Sequence, residues 1–423
     1  MKDKQLAKLI TAETKRQNET LDLIPSENFV SQDVLDAVGS TLTNKYAEGY
    51  PGARYYGGNE IIDKVETLAR ERALKAFGLS PSAWHVNVQP YSGSPANLAV
   101  ILALAAPGET IMGLQLAMGG HLTHGHKVSA TGKIWRAVQY EVDKNTERLD
   151  YDAILELAKR ERPRLIIAGY TAYPRVIDWK RFREIADAVE AYLVVDMSHL
   201  AGLIAGKAYP SPFPHAHVVT TTTHKTLRGP RSAIIFARLE LAKQIDRAIF
   251  PGLQGGPHEN QIAGIAVAMR EAVAPAFKTY AKQIVKNARA LADDLKKHGF
   301  RLVSGGTDSH LMLVDVAALN TGNPSTLRPG SGQASSGRPQ GGREASVRLE
   351  RNGIVCNMNT IPFDPRPPMD PSGIRLGTPA LTTRGMKEKE MKIVAGLIAA
   401  VLLDGKNVSA EVKKLCKKFP LDY

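Results

Sequence analysis

The sequence predicts an α/β protein in which a large domain holds a mostly parallel sheet and a smaller α/β domain follows it. Apolar runs rich in β-branched residues alternate with segments of helical periodicity, which is the pattern of βαβ units. A chain of 423 residues is also long enough for two or three domains with separate cores. We therefore expect an N-terminal arm over residues 1–30, a large domain over residues 31–275 and a small C-terminal domain over residues 276–423.

The strands of the large domain are predicted where short apolar runs stop at turn or polar residues. These runs are residues 84–88, 110–114, 165–168, 192–195 and 218–222. Apolar residues at helical spacing predict helices over residues 61–77, 95–106 and 274–298. Gly78 follows the first of these helices and suits a C-terminal cap. The third helix is expected to lead from the large domain into the small one.

Composition and charge exclude several classes of protein. The most apolar stretches, residues 98–106 and 393–403, are shorter than the roughly 20 residues that cross a bilayer, so no membrane span is expected. The N-terminal residues are charged and lack the apolar run of a secretory signal, which favours a cytoplasmic protein. Only Cys356 and Cys416 occur, which excludes a disulfide framework, and no metal site is expected. The net charge of +13 comes from scattered basic residues, which disfavours nucleic acid as the main partner.

One segment departs from the alternating pattern of strands and helices. Residues 321–345 consist mostly of Gly, Ser, Pro, Gln and Arg, and Leu327 is the only large apolar side chain among them. Such a segment buries too little apolar surface to offset the entropy lost on ordering it. We expect a flexible surface insert within the small domain.

The most informative segment for function is VVTTTTHKTLRGPR at residues 218–231. A strand runs into a threonine tract and then reaches His224 and Lys225. A lysine at the mouth of a sheet is partly desolvated and lies near other cations, which lowers its pKa toward that of an amine nucleophile. A solvated surface lysine is the alternative, but the four hydroxyls at residues 220–223 suit an anion site better than a core strand.

Two further segments lie where the strands of an α/β sheet meet ligands. In VVDMSH, Asp196 ends an apolar strand and suits pairing with a protonated pyridine nitrogen, although a helix cap is an equally good interpretation. In QPYSGSPAN, Ser92, Gly93 and Ser94 stand between a strand and a helix, where backbone amides, hydroxyls and the helix dipole form a phosphate cradle. Together with Lys225 as a covalent anchor, these groups describe a pyridoxal phosphate site.

Longer motifs carry a resemblance to a known family. They are LIPSENFVS at residues 23–31, NKYAEGYPGARYYGG at 44–58, GGHLTHG at 119–125, TTTTHKTLRGPR at 220–231 and SGIRLGTPALTTRG at 372–385. With these motifs the chain resembles the serine hydroxymethyltransferases, which are fold type I pyridoxal phosphate enzymes with a large domain like that of aspartate aminotransferase. The resemblance runs from about Glu19 to the C-terminus and is interrupted only by the insert.

The resemblance implies catalytic and cofactor roles at the matching positions. Lys225 would bind the cofactor covalently, Asp196 would pair with its pyridine nitrogen and His121 would stack on its ring. Glu48 would transfer protons, with Tyr56 and His224 also counted as catalytic residues. The other cofactor residues would be Ser92, Gly93, Ser94, Thr171, His199, Tyr46, Gly255 and Gly256, the last three acting across a subunit interface.

The resemblance also implies a set of substrate residues. Arg375 would bind the carboxylate of the amino acid, and Ser26 would assist it. The remaining substrate residues would be Tyr56, Leu116, Gly119, Gly120, Leu122 and Asn359, most of them in a folate pocket with Asn359 at the pterin. For Tyr55 and Tyr56, simple packing in the core is an open alternative.

The function implied by the resemblance is the interconversion of serine and glycine, with transfer of the hydroxymethyl carbon to tetrahydrofolate. A homodimer or homotetramer with shared active sites is expected. A folate-independent aldolase acting on 3-hydroxy amino acids such as threonine or α-methylserine is the alternative enzyme. A basic RNA-binding or regulatory protein with an inactive cofactor site is the alternative from another class. The chain departs from the family pattern at Met118, Thr171, Ser198 and Met358.

Overall fold

The computed structural model describes residues 1–320 and 339–421 of the chain. It divides into two compact units, of which one is Asn28–Lys282 and the other combines Met1–Glu27 with Gln283–Tyr423. The sequence led us to expect a separate N-terminal arm and a boundary near residue 275. The chain instead changes unit after Glu27 and again inside a long helix, and residues 1–27 group with the C-terminal part.

The secondary structure follows the predicted alternation, and each predicted strand and helix lies within two residues of its expected bounds. The helices are α1 Lys4–Glu19, α2 Gln32–Val38, α3 Glu60–Phe77, α4 Gly93–Leu104, α5 Ala130–Ile134, α6 Tyr151–Glu161, α7 Trp179–Ala188, α8 Ala201–Ala205, α9 Ala242–Arg247, α10 Glu259–Val273, α11 Pro275–Lys297, α12 Gly342–Arg351, α13 Pro379–Thr383, α14 Glu388–Leu402 and α15 Ser409–Lys418. The strands are β1 Leu21–Asp22, β2 Gly49–Tyr50, β3 Ala53–Arg54, β4 Trp84–Asn87, β5 Thr110–Leu114, β6 Arg136–Tyr140, β7 Leu165–Ala168, β8 Tyr192–Asp196, β9 Val218–Thr222, β10 Ala233–Arg238, β11 Arg301–Leu302, β12 Leu311–Asp315, β13 Ile354–Val355, β14 Asn357–Asn359 and β15 Gly373–Gly377.

The first unit is built on a mostly parallel sheet, which confirms the predicted fold class. Among the described residues this sheet has seven strands in the order β4-β10-β9-β8-β7-β5-β6. Strands β6, β5, β7, β8 and β9 run parallel to one another, whereas β10 is antiparallel to both β9 and β4. Strands β7, β8 and β9 are buried along almost their whole length, as expected for a sheet covered on both faces.

The register of this sheet aligns the carboxyl ends of three neighbouring strands. Asp196 at the end of β8 lies opposite Thr220 of β9, and Val195 lies opposite Ala168 at the end of β7. Parallel strands that end at one edge deliver their following loops to the same place. These loops carry most of the residues predicted to bind the cofactor.

The second unit is formed by both ends of the chain. In the part of the chain that is described, its main sheet has four antiparallel strands in the order β11-β12-β15-β14. Strand β1 pairs in parallel with β13, with Leu21 opposite Ile354. Leu21 and Leu23 are fully buried in the same core as Leu349 and Ile354 of this unit. This pairing and burial explain why residues 1–27 do not form a separate arm.

Arg384 also ties the N-terminal helix to the C-terminal helix of this unit. Its buried guanidinium donates hydrogen bonds to the carbonyls of Gln17, Asn18 and Thr20 at the end of α1. It also donates to the carbonyls of Cys416 and Phe419 at the end of α15. The last carbonyls of a helix have no partner within the helix, so one planar cation satisfies two helix ends together.

The predicted insert lies mostly outside the described residues, because residues 321–338 are not part of them. Its last residues do not fit the prediction of a flexible segment, since helix α12 begins at Gly342 and Ala345 is fully buried. The Gly342 amide donates to the Pro371 carbonyl at 2.6 Å, and a Cβ at position 342 would lie 1.9 Å from the Gly373 carbonyl oxygen. Glycine at this position is therefore needed for close approach of two backbone segments rather than for flexibility.

No helix among residues 1–320 and 339–421 is long and apolar enough to cross a membrane, in agreement with the expectation from the sequence.

Candidate active site

A cavity in the first unit lies at the carboxyl edge of the parallel strands. Its lining residues are Gly93, Asn97, His121, Tyr170, Thr171, Asp196, Ser198, His199, Thr222 and Lys225. Six of them belong to the predicted cofactor site, and they come from five separate loops or helix ends. Ser92 and Ser94 flank Gly93 in the chain. The tertiary structure therefore brings residues that are more than 100 positions apart in sequence to one space.

Asp196 is buried at the end of β8 and accepts three hydrogen bonds. Its Oδ2 accepts from Asn97 Nδ2 at 2.8 Å and from His124 Nε2 at 3.2 Å, and its Oδ1 accepts from the Ser198 amide at 3.0 Å. Burial alone would raise the pKa of Asp196, but the hydrogen bond from His124 and the nearby charges hold this pKa well below its usual value. The carboxylate is therefore ionised and fixed in orientation.

The alternative interpretation of Asp196 as a helix cap is wrong. The next helix, α8, begins only at Ala201, and its N-cap residue is Leu200. Asp196 instead accepts from the amide two residues ahead within the turn that follows β8. Its Oδ2 accepts from Asn97 and His124, and the carboxylate lines the cavity, where it can act as the anionic partner of a ligand.

Asn97 is a site residue that was not predicted from the sequence. Besides Asp196, its amide group donates to Thr123 Oγ1 at 2.9 Å, and its carbonyl oxygen accepts from Thr220 Oγ1 at 2.7 Å. All of these partners are buried, so the Asn97 side chain has one possible orientation. A buried asparagine within the otherwise apolar helix α4 was the sequence signal that could have identified it.

The loop that carries His121 is joined to the loop that carries Thr171. Gly119 adopts a positive φ of 106°, and its carbonyl accepts from the amides of Thr171 at 2.9 Å and Ala172 at 3.1 Å. A Cβ at position 119 would lie 2.9 Å from the Ala172 carbonyl atoms, so this close approach needs glycine. The contact explains why His121 and Thr171 line the same cavity.

His121 is neutral at neutral pH. Burial, with a further contribution from His124, lowers the pKa of His121 to about 4. Nδ1 accepts a hydrogen bond from the Thr123 amide at 3.2 Å, which leaves the ring proton on Nε2. A neutral imidazole in this position can lie against an aromatic ring without adding a charge.

The amino end of α4 approaches strand β9 closely. A Cβ at Gly93 would lie 2.7 Å from Thr222 Cγ2, so residue 93 fits only because it has no side chain. Thr222 Oγ1 is buried and has no hydrogen-bond partner among the described residues. A donor without a partner beside a helix N-terminus suits an anion such as a phosphate group. The residues present therefore fit the phosphate of pyridoxal phosphate.

The threonine tract is the buried end of strand β9 and the residue after it, which corrects the interpretation of all four hydroxyls as an anion site. Thr220 donates to Asn97, Thr221 donates to the carbonyl of Thr222, and Thr223 donates to the carbonyl of Pro230 at 2.5 Å. These three hydroxyls satisfy protein groups, and all four threonines are buried. Thr222 alone among them lines the cavity.

Lys225 follows β9 in a turn and is half-buried at the cavity. Its backbone carbonyl accepts a hydrogen bond from Asn28 Nδ2 at 2.9 Å, which fixes the main chain at this point. The neighbouring His224 does not line the cavity. Burial, followed by the charge of Lys225, lowers the pKa of His224 to about 3. His224 is therefore neutral beside the lysine.

A second group of predicted site residues lies together but does not line this cavity. Tyr46 donates to Glu48 Oε1 at 3.2 Å, and a Cβ at Gly255 would lie 3.1 Å from the same oxygen. The rings of Tyr46 and Tyr56 meet edge to face with centroids 5.0 Å apart. Tyr46 is 54% exposed and Tyr56 is 48% exposed, while Tyr55 reaches 77%. The alternative that Tyr55 and Tyr56 simply pack in the core of this chain is therefore wrong.

The predicted folate residues of the first unit stand in the loop after β5. Leu116 belongs to a short 3-10 turn, and Leu122 is exposed. A Cβ at Gly120 would lie 2.1 Å from the Leu114 carbonyl oxygen, so the chain can turn here only with glycine. The same loop carries His121, which connects these residues to the edge of the cavity.

Three predicted substrate residues belong to the second unit. Arg375 on β15 is buried, and its Nε donates to Asn357 Oδ1 at 3.2 Å. Burial lowers the pKa of Arg375 to about 10, so the guanidinium keeps its charge at neutral pH. Asn359 ends β14 and donates to the Thr360 carbonyl at 2.6 Å. Ser26 follows β1 and is half-buried.

A lysine, an ionised aspartate and a helix N-terminus around one cavity, at the carboxyl edge of a mostly parallel sheet, define a pyridoxal phosphate enzyme of fold type I. Comparison with known proteins gives the family. A sequence model described as serine hydroxymethyltransferase matches residues 1–327 and 334–398. The chain belongs to the serine hydroxymethyltransferase family.

Individual relatives match over almost the whole chain. Serine hydroxymethyltransferase of Acidobacterium capsulatum is 54% identical, with 99% of this chain and 94% of the relative covered. The protein of the same name from Acidothermus cellulolyticus is 51% identical, with 99% and 95% covered. That of Koribacter versatilis is 53% identical, with 99% and 94% covered.

Proposed function

We propose that the protein catalyses the reversible conversion of serine and tetrahydrofolate to glycine and 5,10-methylenetetrahydrofolate, with pyridoxal 5'-phosphate as cofactor. The observation that carries this proposal is the single cavity shared by Lys225, Asp196, His121 and the amino end of α4. Membership of the serine hydroxymethyltransferase family supplies the substrates. No structural observation favours the folate-independent aldolase or an RNA-binding protein.

The cofactor would be held by residues of the first unit. Lys225 would hold it covalently through its amine, with release of water from the aldehyde, and Asp196 would accept a hydrogen bond from the protonated ring nitrogen. The amino end of α4, with Ser92, Gly93 and Ser94, would hold the phosphate. When bound, pyridoxal phosphate draws electrons from the α-carbon of an attached amino acid, so that a bond to this carbon can break.

The electrostatics of the cavity support these roles. Asp196 stays ionised because Asn97, His124 and Ser198 all donate to it, and it would stabilise a positive charge on the ring nitrogen. His121 is neutral and would lie against the ring without opposing that charge. Thr171 and His199 line the cavity as well and would hydrogen bond to the ring oxygen or to the amino acid.

Glu48 is proposed to transfer protons during the step in which folate accepts the carbon. Its carboxylate accepts from Tyr46 and lies next to Gly255, which keeps it oriented. Tyr56 contacts Tyr46 and belongs to the same group. His224 is counted with these catalytic residues as a neutral imidazole beside Lys225, because burial and the charge of Lys225 disfavour its protonated form.

Arg375 is proposed to bind the carboxylate of serine or glycine, with Ser26 assisting. A buried guanidinium that keeps its charge offers paired N–H donors with the shape of a carboxylate. Leu116, Gly119, Gly120, Leu122 and Asn359 are proposed to contact tetrahydrofolate. The loop after β5 carries the first four of them.

The protein is proposed to act as a homodimer or homotetramer in which Tyr46, Gly255 and Gly256 complete the site of a second copy. Support comes from Tyr46, Tyr55 and Tyr56, which form an exposed aromatic surface beside Glu48. Exposed aromatic groups of this size are typical of protein interfaces. We further propose a cytoplasmic location, which fits two cysteines that form no disulfide.

One spectroscopic experiment tests the proposed function. Purified protein should carry the absorbance of bound pyridoxal phosphate, and adding glycine with tetrahydrofolate should change that spectrum more than glycine alone. Serine cleavage should then depend on tetrahydrofolate. Absence of the cofactor band would contradict the proposal that the protein is a pyridoxal phosphate enzyme. Serine cleavage at the same rate with and without tetrahydrofolate would assign the protein to the aldolases.

A further inference from the structure

Glu48 lies at the start of a tight hairpin whose shape is fixed by glycine. Strands β2 and β3 pair antiparallel, with Gly49 opposite Arg54. Gly49 has a positive φ of 97°, and a Cβ at this position would lie 2.2 Å from the Ala53 carbonyl oxygen. The Tyr55 amide donates to the carbonyl of Glu48 at 3.0 Å. The hairpin therefore constrains the main chain of Glu48 from both sides.

The guanidinium of Arg54 binds the backbone on either side of Glu48. Its Nη1 donates to the carbonyls of Ala47 at 2.8 Å and Gly49 at 2.9 Å. The other two nitrogens are paired with acidic side chains of α3, Nε with Asp63 at 2.9 Å and Nη2 with Glu66 at 2.8 Å. The Arg54 side chain is only 4% exposed. All three nitrogens are thus used inside the protein.

Gln89 reaches the same backbone group from the loop after β4. Its Nε2 donates to the Gly49 carbonyl at 2.9 Å and to both oxygens of Glu66 at 3.1 and 3.2 Å. The Gln89 carbonyl in turn accepts from Gln254 Nε2 at 2.9 Å, and Gln254 Oε1 accepts from the Tyr91 amide at 3.1 Å. Tyr91 directly precedes Ser92, so the network continues to the amino end of α4.

We propose that Arg54, together with Glu66 and Gln89, positions Glu48 for the folate-dependent step. This inference rests on the proton-transfer role proposed for Glu48 above. Arg54 itself is buried and acts through the backbone, so it is a positioning residue. The carboxylate of Glu48 accepts from Tyr46 and needs a fixed main chain to keep its direction, because an error of about 1 Å in a reacting group can cost about 100-fold in rate.

A lysine cannot replace Arg54 in this arrangement. Four acceptors surround the guanidinium, namely the two carbonyls that flank Glu48 and the carboxylates of Asp63 and Glu66. The ammonium of lysine is a point charge with three donors and cannot reach all of them at once. We expect the ammonium to stay with the charged carboxylates of Asp63 and Glu66, so Arg54→Lys keeps the charge of the cluster at the expense of the backbone contacts and is the most informative variant.

The test compares two reactions of the purified holoenzyme. Arg54→Lys should lower kcat for folate-dependent serine cleavage by about 10- to 100-fold. Folate-independent cleavage of allo-threonine and the cofactor absorbance should change less than about 3-fold. Hydrogen exchange should become faster in residues 46–56 and stay the same in α4. Equal losses in both reactions, or unchanged exchange in residues 46–56, would overturn the inference.

The double variant shows whether Arg54 acts through Glu48. Once Glu48→Gln has removed proton transfer, adding Arg54→Lys should cause little further loss of folate-dependent activity. Multiplicative losses would mean that the two residues act independently and would overturn the inference. If Glu48→Gln itself has no effect, the role of Glu48 is wrong and the inference is rejected with it. A large effect of Glu48→Gln with none of Arg54→Lys rejects the inference alone.

Two more variants complete the design. Arg136→Lys changes an exposed arginine that is paired with Glu161, and it should leave both reactions and the hydrogen exchange unchanged. If Arg54→Lys does not fold, Gln89→Ala tests the same contact because it removes the second donor to the Gly49 carbonyl. Gln89→Ala should then reduce the folate-dependent reaction selectively, and equal reduction of both reactions would reject the proposal.

Discussion

Asn97 and Asp196 lie 99 residues apart in the sequence and share a buried hydrogen bond of 2.8 Å. The same Asn97 side chain accepts from Thr220, which stands next to Asp196 in the sheet. The helix that begins at the proposed phosphate site thus orients the aspartate proposed to bind the ring nitrogen. One asparagine couples the two ends of the cofactor site.

Asn97→Ala should weaken cofactor binding by about 10-fold or more. The substitution removes a donor from Asp196 and leaves the Thr220 hydroxyl without its acceptor, and unpaired buried groups cost about 1–3 kcal/mol each. The pKa of Asp196 should rise because a hydrogen bond to its ionised form is lost. Titration of the unloaded protein with pyridoxal phosphate, followed by absorbance, measures the affinity. Asn145→Ala in an exposed loop is the control, and unchanged affinity in Asn97→Ala would contradict the proposed coupling.

Lys225→Ala should abolish the covalent cofactor band and nearly all turnover while the protein still folds. Lys225 is half-buried at a cavity rather than packed in the core, so truncation leaves the sheet intact. Absorbance spectra, circular dichroism and serine turnover measure the three properties. Lys225→Arg keeps a positive charge without a nucleophilic amine and should lose the cofactor band and turnover as Lys225→Ala does. Full activity in either variant would refute the covalent role of Lys225.

Glu48→Gln should lower folate-dependent serine cleavage by at least ~100-fold, the scale of a general acid or base contribution. The amide keeps the shape of the side chain and its hydrogen bond with Tyr46 but cannot carry a proton between substrates. Cleavage of allo-threonine without folate should fall much less, because it does not include the transfer to folate. Steady-state rates for both substrates measure the difference, with Glu60→Gln as an exposed control. Equal losses in both reactions would show that Glu48 has no folate-specific role.

Glu259→Gln should stabilise the protein at alkaline pH. Glu259 is 1% exposed, and neither of its oxygens has a hydrogen-bond partner in the described residues. Burial, followed by the charge of Glu66, raises the pKa of Glu259 to about 8, with Asp63 acting in the same direction and Arg54 and Lys45 opposing. A pKa raised by folding gives stability that is complete below the unfolded value of about 4.5 and is lost as pH rises to about 8.

The free energy of unfolding of both proteins is measured from urea unfolding curves at pH values from 5 to 9, a range that includes the pKa of about 8. Near pH 9 the glutamine variant should be more stable than the parent by roughly 3 kcal/mol, and near pH 5 the difference should be small. Glu240→Gln on the exposed surface should show no such pH dependence. A constant difference across the series would show that the carboxyl does not titrate in this range.

Arg384→Lys should destabilise the second unit by about 2–4 kcal/mol. The guanidinium satisfies carbonyls at the ends of both α1 and α15, and one ammonium cannot reach both sets. Residues 1–20 should also exchange their amide hydrogens faster. Urea unfolding and hydrogen exchange measure the two effects, and Arg183→Lys on the surface of α7 should cost less than about 1 kcal/mol. If the amides of α1 exchange as slowly in Arg384→Lys as in the parent protein, Arg384 does not hold this helix.

The sequence by itself determined the fold class and the strands that support the site. Apolar runs with β-branched residues, such as residues 165–168 and 192–195, can be buried on both faces only in a covered sheet, so local pattern and final structure agree. Lys225, Asp196 and Gly93 were predicted because each stands at a strand end or helix start. These positions follow from chain order and chemistry alone.

The tertiary structure decided which polar groups satisfy one another. Residues 220–223 look alike in the sequence, yet three of their hydroxyls are used by protein groups and only Thr222 lines the cavity. Likewise Arg375 and Arg384 stand in one motif, but Arg384 holds two helix ends together. A hydrogen bond depends on distances between groups far apart in the chain, and those distances exist only after the sheet and helices have packed.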